Sequence, residues 1–203
     1  APTFLEAAGI SIPKMMIGKA LTDILKDKTT VKREAAFIAM ERHAGCREGG
    51  KGYPCRAIRT KEYLYIRNFD PDRWPAGSPE RKHCVRHIRY GEVDPSPTKT
   101  VMMDEPKYAK LADLAFGKRP AEELYLISND PHQLRNLADA KEFQKTRDLL
   151  RRQLDDHLKK SGDPRLTGKP ALWDYYPFYR APKFPGWKVA PMPAEFQKAH
   201  KVK

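Results

Sequence analysis

Short apolar stretches separated by polar turns dominate the middle of the chain and predict four strands. Lys32 to Met40 carries a continuous apolar run typical of a buried strand, although periodicity alone leaves a short helix open. Tyr53 to Thr60 and Tyr63 to Phe69 are rich in aromatic and branched residues, and the short polar link between them predicts a hairpin. Ala121 to Ile127 is the fourth predicted strand.

Apolar residues at helical spacing predict helices on both sides of these strands. Pro2 to Ala8 and Gly18 to Leu25 predict short helices, and Lys107 to Phe116 predicts another that Gly117 closes. The clearest helix runs from Lys141 to about Lys160. Its apolar stripe recurs at steps of seven and four residues, through Phe143, Leu150, Leu154 and Leu158.

These elements together predict an α+β fold in which a small antiparallel sheet of about four strands packs against one long C-terminal helix. Asp70 to Thr100 holds repeated prolines and is predicted to be a long excursion without regular structure. Beyond Gly168 the chain is a proline-broken aromatic tail. The pair Glu122-Glu123 is predicted to be a solvated strand edge rather than an acid/base couple.

The net charge of the chain favours some classes of binding partner but does not identify one. The chain carries 39 Lys and Arg against 26 acidic residues, a net charge of +13. Such a surplus favours a polyanion, either nucleic acid or a sulfated or phosphorylated substrate, but it also fits a plain basic surface. No run approaches the roughly 20 apolar residues of a membrane span.

Cysteine and histidine spacings give no metal site. The three cysteines, Cys46, Cys55 and Cys84, lack clustered pairs of ligand spacing. A Cys46–Cys55 bridge and free buried thiols both stay open. His83 and His87 would share a helix face, but their strongly basic surroundings oppose a cation.

Six motifs occur in order along the chain: APTFLEAAGISIP, GKALTDIL, GYPCRAIRTKEYLYIRNFDPDRWPAG, YGEVDPSPTK, AFGKRPAEELY and DPHQLRNLAD. With them the chain resembles the C-terminal part of a type I sulfatase, and most closely the N-sulfoglucosamine sulfohydrolase (sulfamidase) and arylsulfatase family. The resemblance implies an alkaline-phosphatase-like sulfatase C-terminal subdomain at 32–168. It also implies the end of a catalytic domain at 1–31 and leaves 169–203 as a tail.

The resemblance implies an enzyme that hydrolyses sulfate esters or sulfamates of sulfated sugars with formylglycine and calcium. Formylglycine is made from Cys or Ser in the motif Cys/Ser-x-Pro-x-Arg, which this sequence lacks. Cys55, for example, is followed by Arg56-Ala57-Ile58-Arg59. We therefore expect no catalytic residue, no metal and no cofactor in this part, which would be inert alone and would need a missing N-terminal catalytic domain as its partner.

The family places the loop from Glu41 to Arg56 at the mouth of the active site, which makes His43, Arg47, Tyr53 and Arg56 the predicted substrate-binding residues. A neutral-range imidazole, forked guanidinium groups and an aromatic ring suit a sulfated sugar. Export to the periplasm, cell surface or lysosome, with nucleic acid an unlikely partner, follows from the same resemblance. Two alternatives stay open: a stand-alone basic module binding a polyanion (nucleic acid or sulfated glycan), and an inactive truncated product with an exposed apolar interface.

Overall fold

The computed structural model describes residues 1–26, 34–166, 172–176 and 191–194. They belong to two compact units, Ala1–Glu34 and Ala35–Lys203. The first unit contains two short helices, α1 (Pro2–Ala7) and α2 (Thr22–Leu25). Its two helical segments are joined by a bond from the Leu21 amide to Thr3 Oγ1 at 3.1 Å. Both predicted short helices are thus confirmed, although the second begins later than its pattern suggested.

A four-stranded antiparallel sheet forms the centre of the second unit. Its strands are β1 (Ala35–Met40), β2 (Cys55–Thr60), β3 (Tyr63–Asn68) and β4 (Glu122–Leu126). Their order in the sheet follows their order in the chain, and every neighbouring pair is antiparallel. The predicted sheet and hairpin are confirmed. Lys32 and Arg33, predicted to open the first strand, lie outside the described residues.

The apolar core lies between this sheet and the long helix α5 (Gln144–Ser161). Ile58, Tyr65 and Leu124 are aligned across β2, β3 and β4, and all three are almost fully buried. These three side chains share one core cluster with Leu150, Leu154 and Leu158, which form the predicted apolar stripe of α5. Gly162 ends α5 with a left-handed φ of 70°, which glycine adopts without strain.

β1 differs from its prediction in burial. It is a strand, but it lies at the edge of the sheet, and five of its six residues are exposed. Phe37, Ile38 and Met40 are 40%, 51% and 42% exposed. The apolar run therefore predicted a strand correctly, but the prediction that this strand is buried is wrong, because burial depends on what covers the strand.

The segment between the hairpin and β4 is more regular than its prolines suggest. α3 (Pro97–Asp104) begins inside the stretch predicted to be irregular, and Ser96 caps it by accepting the Lys99 amide at 3.1 Å. α4 (Ala109–Phe116) confirms the predicted helix. Single 3-10 turns occur at Glu48–Gly50, Arg81–His83, Pro106–Tyr108, Lys141–Phe143 and Leu172–Asp174. Within the described ranges, no helix combines the length and apolarity needed to cross a bilayer.

The acidic pair at the start of β4 is not a solvated edge, so that prediction is wrong. Glu123 is only 5% exposed and accepts hydrogen bonds from Asn68 Nδ2 at 2.7 Å and from the Tyr125 hydroxyl at 2.5 Å. Glu122 pairs with Arg151 of α5. Both carboxylates therefore connect β4 to its neighbours rather than facing water.

Candidate functional site

Two irregular segments pack together beside the sheet, and we refer to residues 41–54 and 70–94 as the loop layer. The first segment connects β1 to β2, and the second follows β3. Backbone hydrogen bonds join them: the Ser78 amide donates to the Cys46 carbonyl at 2.7 Å, and the Val85 amide donates to the Gly45 carbonyl at 2.9 Å. The loop layer contains three of the four predicted substrate-binding residues. The fourth, Arg56, lies in β2 just after the first segment.

Glu92 connects two of these predicted residues. Its Oε2 lies 3.0 Å from His43 Nδ1, and its Oε1 accepts a hydrogen bond from Arg47 at 2.8 Å. The side chain of His43 is 79% exposed, whereas that of Arg47 is 5% exposed. The imidazole is therefore held at one nitrogen while most of its ring faces solvent.

The guanidinium group of Arg47 bonds inside the loop layer. Besides Glu92, it donates to the Trp74 carbonyl at 2.7 Å and to the Pro75 carbonyl at 2.6 Å. These bonds tie the first segment of the loop layer to the second. Arg47 thus supports the position of Glu92, and through Glu92 that of His43.

Arg56 lies deeper and joins a network of ion pairs. It is 2% exposed and donates to Asp163 Oδ2 and to Glu41 Oε1, each at 2.7 Å. Glu41 also accepts two bonds from Arg165, at 3.0 and 2.6 Å. Arg73 and Asp174 extend the network, with Arg73 Nη2 donating to Asp174 Oδ2 at 3.1 Å. Three arginines thus neutralise three carboxylates that come from separate parts of the chain.

Two carboxylates of this network, Asp163 and Asp174, have lowered pKa values despite their burial. Burial alone would raise the pKa of Asp163, but hydrogen bonds from Arg56 and from the Arg165 amide hold it below its ordinary value. Burial acts in the same direction on Asp174, and the Gly52 amide and Arg73 together lower its pKa. Opposite charges and N–H donors stabilise the ionised form by more than burial opposes it.

Tyr53 is buried against Arg47 rather than standing open to a ligand. Its side chain is 2% exposed, and the Arg47 guanidinium carbon lies 5.8 Å from the ring centroid. Burial is the main cause that raises the pKa of the phenol. Its hydroxyl has no hydrogen-bond partner among the atoms of the described chain.

A cavity of about 500 Å³ opens on the loop layer. Positive side chains, an indole ring and hydroxyl and carboxylate groups share its wall, a mixture that suits a polar, partly charged ligand. Its lining consists of Arg47, Glu48, Gly49, Lys51, Asp72, Arg73, Trp74, Ser78, Glu80 and His83.

The described residues offer no cluster of side chains for a calcium ion. They contain no group of three His, Cys, Asp or Glu side chains placed to hold a metal. The carboxylates nearest the site, Glu41, Asp163 and Asp174, are already paired with arginines. His83 and His87 do not share a helix face, because the turn Arg81–His83 ends before His87, whose φ is 53°.

Two residues of the site gave no signal in the sequence. Glu92 meets its partners across 45 and 49 residues, a separation that local patterns do not report. Lys99 of α3 is 4% exposed, and its ammonium donates to three carbonyl groups of the loop layer. Those bonds reach Arg89, Tyr90 and Val93 at 2.7, 2.9 and 2.7 Å. Lys99 therefore fixes the backbone on both sides of Glu92.

The known proteins that this chain is similar to in sequence are sulfatases. No protein-family model matches the chain. Two curated ulvan-active sulfatases of Formosa agariphila are similar to it, one 29% identical over 167 residues and the other 27% identical over 171 residues. Each match covers 80% of this chain but only 25% and 28% of the relatives. The chain thus spans about a quarter of their length, and its resemblance to part of a sulfatase is confirmed.

Solved structures give more distant likenesses. A complex of a protein with its substrate D-glucosamine-2-N,6-O-disulfate is 19% identical, with a TM-score of 0.48, and covers 81% of this chain and 24% of that one. A 2-O GAG sulfatase is 18% identical, with a TM-score of 0.46, and covers 80% of this chain and 24% of that one.

Proposed function

We propose that the chain is the C-terminal, substrate-facing part of a sulfatase that hydrolyses sulfate esters or sulfamates of sulfated sugars. The similarity to two ulvan-active sulfatases supports the reaction class. Formylglycine and calcium would be supplied by a catalytic domain elsewhere in the polypeptide, since this sequence lacks the formylglycine motif and the described residues offer no cluster of side chains for calcium. Export of the enzyme, as the sulfatase resemblance implies, belongs to the same proposal. Alone, this part would be inert.

The observation that carries the proposal is the exposed imidazole of His43, held by Glu92 at the surface of the loop layer. With Nδ1 engaged by the carboxylate, Nε2 is the nitrogen that would meet a sugar hydroxyl or a leaving group. A free imidazole nitrogen either donates or accepts a hydrogen bond, so it suits both partners.

The other three predicted substrate contacts act, in this proposal, mainly by positioning. Arg47 and Arg56 would have to give up bonds to buried carboxylates and carbonyl groups before either reached a sulfate. Breaking such buried pairs is costly. We propose that Arg47 holds Glu92, that Arg56 fixes the start of β2 beside the loop, and that Tyr53 packs beneath them.

The kinetic test uses the full-length enzyme. His43→Ala is expected to lower kcat/KM for a sulfated sugar by about 10- to 100-fold, the loss of one hydrogen bond to a charged group. His132→Ala is the matched control, because His132 is exposed on the turn after β4, away from the loop layer. Unchanged kinetics for His43→Ala would remove His43 from the site.

A genetic test addresses the larger claim. The reading frame upstream of the Ala1 codon is expected to continue into a catalytic domain with Cys/Ser-x-Pro-x-Arg and calcium-type aspartates. A start codon at Ala1 without such a domain would contradict the proposal.

The alternative, a stand-alone polyanion-binding module, rests on the net charge of +13. Much of that charge is engaged internally: Arg67 pairs with Asp155 at 2.6 Å, and Arg73 pairs with Asp70 at 3.1 Å. Binding of heparin or single-stranded DNA by this chain would, if the alternative holds, weaken steeply with salt by counterion release. Binding that is weak at low salt, or insensitive to salt, would exclude it.

A further inference from the structure

Two thiols that no step of the proposed function uses meet inside the loop layer. The sulfur atoms of Cys46 and Cys84 lie 3.0 Å apart, and the two residues are 0% and 1% exposed. Both are free thiols in this structure. One belongs to the first segment of the loop layer and the other to the second, so a bond between them would join the two segments covalently.

The surrounding backbone brings these two sulfur atoms together. Hydrogen bonds fix both neighbourhoods: the Ser78 amide bonds to Cys46 itself, and the Val85 amide bonds to Gly45. Gly91 passes directly beside the pair. A Cβ atom on Gly91 would lie 2.3 Å from Cys84 Sγ and 2.5 Å from Cys46 Sγ, closer than atoms approach. The pair thus depends on a glycine at this position.

We propose that Cys46 and Cys84 are a disulfide-forming pair, whose bond closes the loop layer when the chain folds in an oxidising compartment. The third cysteine, Cys55, lies in β2 and stays a thiol. The bond would enclose the intervening segment that includes the whole hairpin of β2 and β3. This inference concerns the covalent structure of the loop layer and does not rest on the proposed function.

The chemistry is thiol–disulfide exchange with a small-molecule or protein disulfide as the oxidant. The thiolate of one of the two cysteines attacks one oxidant sulfur, and the other oxidant sulfur leaves as a thiolate. The second cysteine then loses its proton to solvent, and its sulfur displaces the first oxidant sulfur from the mixed disulfide. Two protein thiols are oxidised, and one external disulfide is reduced to two thiols. Because both sulfurs are buried once folded, the exchange takes place before the loop layer closes.

The local electrostatics distinguish the two sulfurs of the closed, reduced pair. Hydrogen bonding to Cys46 is the main cause that lowers the pKa of Cys84, and the amides of Arg86 and Ile88 act in the same direction. The same contact, with burial, raises the pKa of Cys46. In the closed, reduced pair these shifts favour the thiolate at Cys84 over that at Cys46.

Peptide mapping tests the proposal on the chain itself. The reduced, unfolded chain is refolded with a mixture of reduced and oxidised glutathione, its remaining thiols are alkylated, and it is digested without reductant. The expected product is one peptide pair joined through Cys46 and Cys84, with Cys55 alkylated. Three alkylated cysteines, or a bridge that includes Cys55, would overturn the proposal.

Variants separate the bond from general folding effects. Cys55→Ser should form the bridge as the parent chain does, whereas Cys84→Ser should leave Cys46 alkylated. The oxidised parent should melt roughly 5–15 °C above its reduced form, the shift expected when a native disulfide is present, and Cys84→Ser should show no such difference. Equal melting temperatures for oxidised and reduced parent chain would contradict a closing role.

Gly91 gives an independent test of the geometry. Gly91→Ala should lower the yield of the bridged peptide, because its methyl group occupies the space of both sulfurs. Gly18→Ala is the matched control, since the added Cβ would meet only Pro2 Cγ at an ordinary 3.6 Å. A yield from Gly91→Ala equal to that of the parent would count against the arrangement.

Discussion

Two regions of the second unit, the sheet with α5 and the loop layer, bury side chains of opposite character. Beneath the sheet, the buried groups are almost all apolar, such as Ile58, Leu124 and Leu154. In and beside the loop layer, they include Arg47 and Arg56, each at most 4% exposed. The first region excludes water by packing, and the second satisfies buried charges with specific partners.

The difference predicts different responses to damage. An apolar core loses contacts in proportion to the atoms removed, and part of that loss is recovered by relaxation. A buried ion pair that loses one partner leaves the other charge uncompensated, so the penalty depends on which atom is lost. The loop layer is therefore specific in geometry and sensitive to single changes of charge.

The largest effect is expected from Arg56→Ala. It leaves Glu41 and Asp163 without their shared partner, and removal of one member of a buried pair costs about 3–5 kcal/mol of unfolding free energy. Arg152→Ala, exposed on α5, is the control and should stay within about 0.5 kcal/mol of the parent. Urea unfolding measures both. If Arg56→Ala were as stable as the parent, the ion-pair network would contribute little to the free energy of unfolding.

Leu154→Ala tests the apolar region. Leu154 is fully buried on α5, and truncation of a buried leucine costs about 2–5 kcal/mol, as lost transfer energy plus the cavity left behind. Leu149→Ala on the same helix removes a side chain that is 48% exposed and should cost much less. High salt should change the cost of either substitution little, because the ion pairs of Arg56 are buried and buried pairs are screened much less than exposed ones.

Acid should weaken the loop layer before the core. The pKa values of Asp163 and Asp174 are lower in the folded chain than in the unfolded chain. Their contribution to stability is therefore complete above the unfolded value, about 3.9, and is lost as pH falls below it through the folded values. Unfolding measured from about pH 6 down to about pH 2 should show, below the unfolded value, a steeper loss for the parent than for Asp163→Asn. Parallel curves would contradict this assignment.

The smallest change in stability is expected from His43→Ala. The imidazole is mostly exposed, and surface substitutions usually stay within about 0.5 kcal/mol. A thermal melt that matches the parent, alongside a lowered kcat/KM in the full-length enzyme, would separate function from folding at this residue. A large drop in melting temperature would instead assign His43 to the structure.

The two regions also differ in what their sequence reveals. The stripe of Leu150, Leu154 and Leu158 and the hairpin pattern predicted the sheet and α5, because periodicity directly reflects burial on one face. The edge position of β1 was not predictable, since its sequence does not say whether anything covers it. The α3 helix was missed although Ser96-Pro97 is a typical helix start, because the surrounding prolines indicated an irregular segment.

The loop layer was predictable only in outline. The resemblance indicated the residues from Glu41 to Arg56, but the partners that organise them, Glu92, Asp163 and Cys84, come from distant parts of the chain. Ion pairs and thiol contacts leave no periodic trace, so their geometry is visible only once the chain is folded. The bonds of Arg47 to Glu92 and of Arg56 to Asp163 were for this reason not predictable from the sequence.

The buried ammonium of Lys99 offers a chemical reporter for the state of the loop layer. Burial lowers the pKa of this amine, and three carbonyl groups surround its nitrogen. An amine reagent should therefore modify Lys99 only when the backbone around Glu92 opens, while solvent-facing lysines such as Lys82 react at once. The rate of acetylation at Lys99, followed by mass spectrometry, would thus time the opening of the loop layer in the native protein.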